Sequence, residues 1–145
     1  MSEALELGRR YAREVWMGRR MDVIDELFAA DHVYHDALLP DLPRGPEGVR
    51  RRVEAYLGAV PDARLREEAW VADGDQAVLR WTWGGTNTGE LMGMPATGRR
   101  AETTGMHMVR VQDGRIAETW VSFDAVGFMQ QLGVIAIGPQ EAVAG

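Results

Sequence analysis

The sequence predicts an α+β domain: about three to four helices over one face of a curved antiparallel or mixed sheet, coiled into a cone around a pocket. Three observations predict it. Apolar residues recur at three- and four-residue steps up to Pro61, and the period then changes to two. Asp73-Gly74 and Asp113-Gly114 sit between the alternating runs, where hairpin turns belong. Helices first and strands afterwards is the order of an α+β fold rather than of alternating βα units.

Each element has its own signal. Residues 2–17 place Ala4, Leu5, Gly8, Tyr11, Ala12, Val15 and Trp16 on one helical face. A Gly-Arg break at 18–20 precedes a short second helix carrying Ile24, Leu27 and Phe28. HVYHD at 32–36 reads as a short strand, followed by the proline-rich loop ALLPDLPRG. A third helix starts at Pro46, a favoured first helical residue, and keeps its period through Val49, Val53, Tyr56, Leu57 and Val60. Strands are expected over 64–72, 76–88, 98–111 and 115–123. Asp124 then caps a final helix bearing Val126, Phe128, Met129 and Leu132, with Gly133 as its terminator. The 145 residues make one domain with a core over 3–134 and a loosely held tail over 135–145.

Composition narrows the function. A net charge of −6 lacks the basic footprint of a nucleic-acid binder, and Arg50, Arg51 and Arg52 read as the solvated side of a helix. No apolar run is long enough to span a bilayer. The absence of cysteine and the charged start MSEALELGRRYAREV fit a cytoplasmic protein. His32 and His35 are three apart on a strand, which sends them to opposite faces, so no metal site is expected. GPEG and WGGTNTG lack the strand-turn-helix context of a phosphate loop.

The order of elements, GPEGVRRRV at 45–53, GMPATGRR at 93–100, MVRVQDGRI at 108–116 and FDAVGFMQQLG at 123–133 resemble the SnoaL-like polyketide cyclases, a branch of the nuclear-transport-factor-2 or ketosteroid-isomerase fold. The likeness spans roughly residues 3–134, and GMPATGRR and the DGRI hairpin are its most specific parts. It implies ring closure by intramolecular aldol condensation in anthracycline-type biosynthesis, with neither metal nor organic cofactor. It also implies a histidine and an aspartate for proton transfer. The histidine corresponds to His107; the aspartate corresponds to position 121, which here is Val121.

Two hairpin registers bear on that pair. A loop of Asp113-Gly114 alone would pair His107 with Trp120 and turn Val121 away; a loop of Gln112-Asp113-Gly114 would pair His107 with Thr119 and Gly105 with Val121, all on one face. The shared pocket of the family favours the second. Trp120 then lies on the opposite face beside Met106.

The expected catalytic residues are His107, whose imidazole titrates near neutrality, and His35 at the pocket mouth. By strand parity Asp36 points away from His35, bonding its own turn, and His32 is exposed. Trp81 and Trp83 face one way and suit a flat polycyclic ligand. Thr103, Val121 and Tyr34 complete the expected substrate-binding set. Glu118 is expected as a surface partner of Arg110. Without the cyclase aspartate, a hydroxylation-associated tailoring role beside a reductase-like partner ranks ahead of aldol closure by His107, with a non-catalytic binder of a polycyclic intermediate as the third reading. An outer sheet face carrying Met106, Met108, Ile116 and Trp120 implies a homodimer or tetramer.

Overall fold

A computed structural model describes residues 2–135. Helix α1 (Glu3–Arg10) is capped by Ser2, whose Oγ accepts from the Leu5 amide at 2.9 Å, and continues as a π-helical stretch over Tyr11–Met17. A 3₁₀ turn (Met21–Val23) leads into the single-turn α2 (Ile24–Leu27), and Phe28 opens β1 (Phe28–His35). Helix α3 (Pro46–Ala59) is followed by β2 (Arg64–Asp73), β3 (Gln76–Thr86), β4 (Arg100–Gln112), β5 (Arg115–Phe123) and α4 (Ala125–Leu132). Asp124 caps α4 through a 2.9 Å bond from the Gly127 amide, and Gly133 ends it in the left-handed region. The tail expected to be loosely held lies, beyond residue 135, outside the described residues. Among the described residues no helix is long and apolar enough to cross a membrane.

The five strands form one curved mixed sheet in the order β1-β5-β4-β3-β2. β1 runs parallel to β5, and the other neighbours are antiparallel. Residues 101, 103, 105, 107, 109 and 111 of β4 face the helices. There Val109, Leu79, Ile116, Val49, Val53, Tyr11, Phe28 and Phe128 are almost wholly buried. Burying one such aliphatic or aromatic side chain stabilises the fold by roughly 1.5–3 kcal/mol.

The β4–β5 hairpin corrects the expected register. Its loop is the two residues Asp113 (φ 52°) and Gly114 (φ 76°), the positive-φ pair of a type I′ turn. Taken alone, that turn would set His107 opposite Trp120. A bulge intervenes: Val111 pairs with Ile116 but Arg110 pairs with Glu118, so Ala117 is an extra residue and His107 stands opposite Val121. Val121 faces the helices as expected, but the bulge achieves it and not a longer loop. The two-residue turn sets Ile116 opposite the inward Val111 and so into the core, against the expectation that it lies on the outer face. Met106 is exposed and Trp120 shares its face, as expected.

Parity on β1 is also the reverse of that expected. Tyr34 lies beside Thr119 and His35 beside Trp120, so the inner face carries His32 and Tyr34, with Asp36 following, and His35 points out.

Candidate functional site

The inner sheet face and the helices line a narrow pocket that is partly open to solvent. The sheet contributes Leu65 from β2, Trp81 and Trp83 from β3, Thr103 and His107 from β4, and Val121 and Phe123 from β5. The helices contribute Trp16 from the π-helical stretch and Arg52 and Tyr56 from α3. Mostly apolar walls with a few convergent polar groups are what a small-molecule site requires.

Arg52 sets the character of this space. Sequence placed it with Arg50 and Arg51 on a solvated face, and those two do pair with surface carboxylates: Arg50 with Asp25 and Glu47, Arg51 with Glu47. Arg52 does not. It is three residues after Val49 and four before Tyr56, so it falls on the apolar stripe of α3 and is buried. Its Nε donates to Asp36 Oδ2 at 2.8 Å. Its guanidinium carbon lies 4.7 Å from the centre of the Tyr34 ring, 4.8 Å from that of Tyr56 and 5.5 Å from that of Trp16. A guanidinium stays charged even when buried, and aromatic faces attract it.

Asp36 is fully committed to holding that cation. Besides Arg52, Oδ2 accepts from the Tyr56 hydroxyl at 3.0 Å, and Oδ1 accepts from the Leu38 amide at 2.9 Å. The turn bond expected of Asp36 is present, but its direction is inward, not away from the site. Burial raises the pKa of the Tyr34 and Tyr56 hydroxyls, which keeps both protonated.

His107 sits across the pocket wall in an apolar setting, edge-on to Tyr11 (5.8 Å between ring centres) and Trp70 (6.5 Å). Burial, and secondarily the Arg52 charge, push its pKa down to about 3, so its imidazole is neutral and does not titrate near pH 7 as its residue type alone implies. Its Nε2 is buried with no hydrogen-bond partner, and so is Nε1 of Trp81.

Of the expected site residues, the structure brings His107, Trp81, Trp83, Thr103 and Val121 together in the pocket wall. Thr103 donates to the Asp124 carbonyl at 2.9 Å, tying β4 to the start of α4. Tyr34 lies beneath the Arg52 guanidinium, its hydroxyl 2.9 Å from that of Tyr11. His35 is not at the pocket. It is exposed on the outer face, 2.7 Å from Glu118 and stacked on Trp120 at 5.3 Å. Glu118 also accepts from Arg110, as expected. His32, expected at the surface, is buried against Phe28 and Tyr34 and bonded to Thr119 Oγ1 at 2.8 Å, and burial lowers its pKa to about 4. Sequence reasoning missed Trp16, Arg52, Leu65 and Phe123. The position of Arg52 on the stripe of Val49 and Tyr56 was the one signal available for it.

A helix-covered curved sheet around an apolar pocket with one buried cation defines a small-molecule site of the nuclear-transport-factor-2-like class. The chain belongs to the SnoaL-like polyketide cyclase family, whose sequence profile matches residues 6–132. It is 32% identical to aklanonic acid methyl ester cyclase DauD of Streptomyces sp. (strain C5), over 92% of this chain and 83% of that protein. It is 30% identical to nogalonic acid methyl ester cyclase of Streptomyces nogalater, over 79% of this chain and 86% of that protein. Among solved structures, TsrD from Streptomyces laurentii superposes with a TM-score of 0.80 at 27% identity, over 92% of this chain and 96% of that one. AclR from Streptomyces galilaeus shares the fold with a TM-score of 0.79 at 24% identity, over 99% of this chain and 89% of that one.

Two stability predictions follow from this geometry. Asp36→Leu alone should cost about 3–5 kcal/mol, because it strands the Arg52 charge. The double variant Asp36→Leu/Arg52→Met should cost clearly less than the sum of the singles, as read in a double-mutant cycle by urea unfolding. Additive losses would mean that the pair is not coupled.

The depressed pKa values of His107 (about 3) and His32 (about 4) give the second. Both imidazoles bind protons in the unfolded chain near pH 6.5 but resist them when folded. Their contribution is therefore complete above about pH 6.5 and is lost as pH falls toward 3–4. Stability should drop by up to roughly 2.7 kcal/mol per pH unit between pH 6 and 4 from these two groups, at 1.36 kcal/mol for each proton. In His107→Gln the slope should decrease by about one proton; an unchanged slope would show that His107 is not held neutral.

Proposed function

We propose that this protein is a cofactor-independent tailoring enzyme of aromatic polyketide biosynthesis that closes a ring by intramolecular aldol condensation. The observation that carries the reading is the buried Arg52 cation sharing an aromatic-walled pocket with a neutral His107. The cyclases at 30–32% identity support it.

In this reading the polycyclic substrate lies against Trp81 and Trp83. The His107 imidazole takes the proton from a carbon activated by flanking carbonyls. The electron pair moves onto the enolate oxygen, which the Arg52 guanidinium stabilises without any reorganisation. A base with so low a pKa in the free pocket is weak, but the enolate forming beside it favours the imidazolium and raises that pKa during the step. The enolate carbon then attacks a ketone of the same molecule. The new carbon–carbon bond leaves an alkoxide that takes the proton back from the imidazolium. The product is an isomer of the substrate.

A second reading, hydroxylation beside a reductase-like partner, is favoured by one observation. Val121 stands directly opposite His107, where the cyclase resemblance expects an aspartate. A substrate reduced by two electrons by the partner and held as its anion at Arg52 would add oxygen as a hydroperoxide, then lose one oxygen atom as water and keep the other, without needing that carboxylate.

Incubation with an open-chain tricyclic β-keto ester in air, with and without a reductase, separates the two by mass. An isomer of unchanged mass, formed without reductase, is the expected product. His107→Leu should slow its formation by about 10²–10⁴-fold, and Val121→Asp should accelerate it. A product one oxygen heavier, formed only with reductase, would replace the first reading with the second. No turnover of a tightly bound substrate would make the protein a binder.

We also propose that the protein is a homodimer through its outer sheet face, where Met106 is 52% and Val71 67% exposed. Sedimentation at micromolar concentration should give the dimer mass for the natural chain and a monomer for Met106→Glu. A natural chain that sediments as a monomer would refute this.

A further inference from the structure

We propose that the π-helical stretch Tyr11–Met17 is a movable gate over the pocket, and that a ligand enters when the stretch rewinds as α-helix and withdraws Trp16. The proposal rests on the proposed function only in taking this pocket as the place where a polycycle binds. The free space among the lining side chains is about 40 Å³. Pockets that hold a drug-sized molecule enclose roughly 300–1,000 Å³. Part of the wall therefore has to move before a fused ring system fits. The residues from β3, β4 and β5 are fixed in paired strands, and Arg52 and Tyr56 are bonded to Asp36. Trp16 makes only ring contacts there, edge-on to Trp83 at 6.2 Å and beneath the Arg52 guanidinium at 5.5 Å.

The backbone that carries Trp16 is the irregular part of the first helix. Seven residues in π-helical form are uncommon, and such turns occur frequently at functional sites. The end of the stretch is wide: the Gly18 amide donates to the Arg13 carbonyl and the Arg20 amide to the Glu14 carbonyl, both at 2.8 Å. Return to i→i+4 bonding shifts the residues beyond by one position, about 100° around the axis. That turns the indole off Trp83 and uncovers one side of the Arg52 guanidinium. An anionic ligand takes the place of the ring, and so favours the open form. Gly18 belongs to the closed form. A Cβ there would stand 2.8 Å from the Glu14 carbonyl oxygen and 3.1 Å from that of Arg13, whereas alanine is the residue best accommodated in a regular α-helix. Two tethers hold the stretch onto the start of β2: Arg13 to Glu67 at 2.9 Å, and Arg19 to the Ala63 carbonyl at 2.7 Å. Arg13 is more than half exposed, so its tether is readily broken.

The test follows binding of anthracene-2-carboxylate to the full chain by stopped-flow fluorescence, with urea unfolding to show that each variant folds. Arg13→Gln and Gly18→Ala lie outside the pocket wall; the first frees the stretch from β2, and the second disfavours its π form. Each should raise the association rate constant about fivefold, the change that a surface ion pair or the helical preference of alanine over glycine is worth. Trp16→Ala, which takes the gate away, should raise it further. Binding by the variants but not by the natural chain would also support the gate. Should Gly18→Ala not fold, Arg13→Gln decides alone. Unchanged association in these two variants overturns the gate and leaves the pocket reading standing, even where Trp16→Ala binds faster. Failure of the natural chain and of every variant to bind overturns both.

Discussion

The buried ion pair between Arg52 and Asp36 is the constraint to which the rest of the site conforms. A guanidinium in an apolar interior is tolerable only if its charge is matched and its faces are covered. Asp36 supplies the match at 2.8 Å, and Tyr34, Tyr56 and Trp16 supply the cover. These come from four different segments: the first helix, β1, the loop after it and α3. Satisfying one cation thus draws together the elements that roof the sheet. It also explains why a carboxylate is absent from the pocket wall yet close behind it. Asp36 is already consumed by Arg52, Tyr56 and the Leu38 amide, so it serves to orient the cation.

The sheet makes the matching contribution through one irregularity. The type I′ turn at Asp113-Gly114 is the tightest closure available to the hairpin, and alone it would turn residues 119, 121 and 123 to the outer face. The extra residue Ala117 reverses that. It sends Thr119 to His32, Val121 to His107 and Phe123 to Trp81, while Ile116 remains in the core. A one-residue change of register flips every side chain beyond it, so the bulge is as much a part of the site as any residue in the wall.

Much of the fold was legible in the sequence because its signals are local. Pro46 at the start of α3, Asp124 and Gly133 at the ends of α4, and the change of period after Pro61 each act within a few residues. The strand carrying Trp81 and Trp83 was read with both indoles inward because strict alternation settles it. What was not legible depends on partners distant in the chain. Inward and outward positions on β1 were reversed because an edge strand takes its parity from its neighbour, here Tyr34 beside Thr119, and not from its own pattern. His35 and His32 exchanged environments for that reason alone. The bulge at Ala117 has no marker residue. Arg52 was misread because three consecutive arginines look like a solvated run, although helical steps from Val49 and to Tyr56 place only the third in the core.

The two candidate groups were therefore visible in unequal degree, and their chemistry was visible in neither. His107 could be found from its motif, but its residue type suggests a group titrating near neutrality, and the folded protein holds it neutral down to about pH 3. That shift arises from burial and from Arg52, the residue that the sequence concealed. The two are coupled: the cation that lowers the basicity of the imidazole in the empty pocket would be neutralised by an anionic substrate oxygen. Such a ligand would oppose the smaller of the two causes of the shift, burial being the larger. A carboxylate at position 121 would do the same permanently. In the proposed reaction, with valine there, activation of the base would depend on the substrate itself.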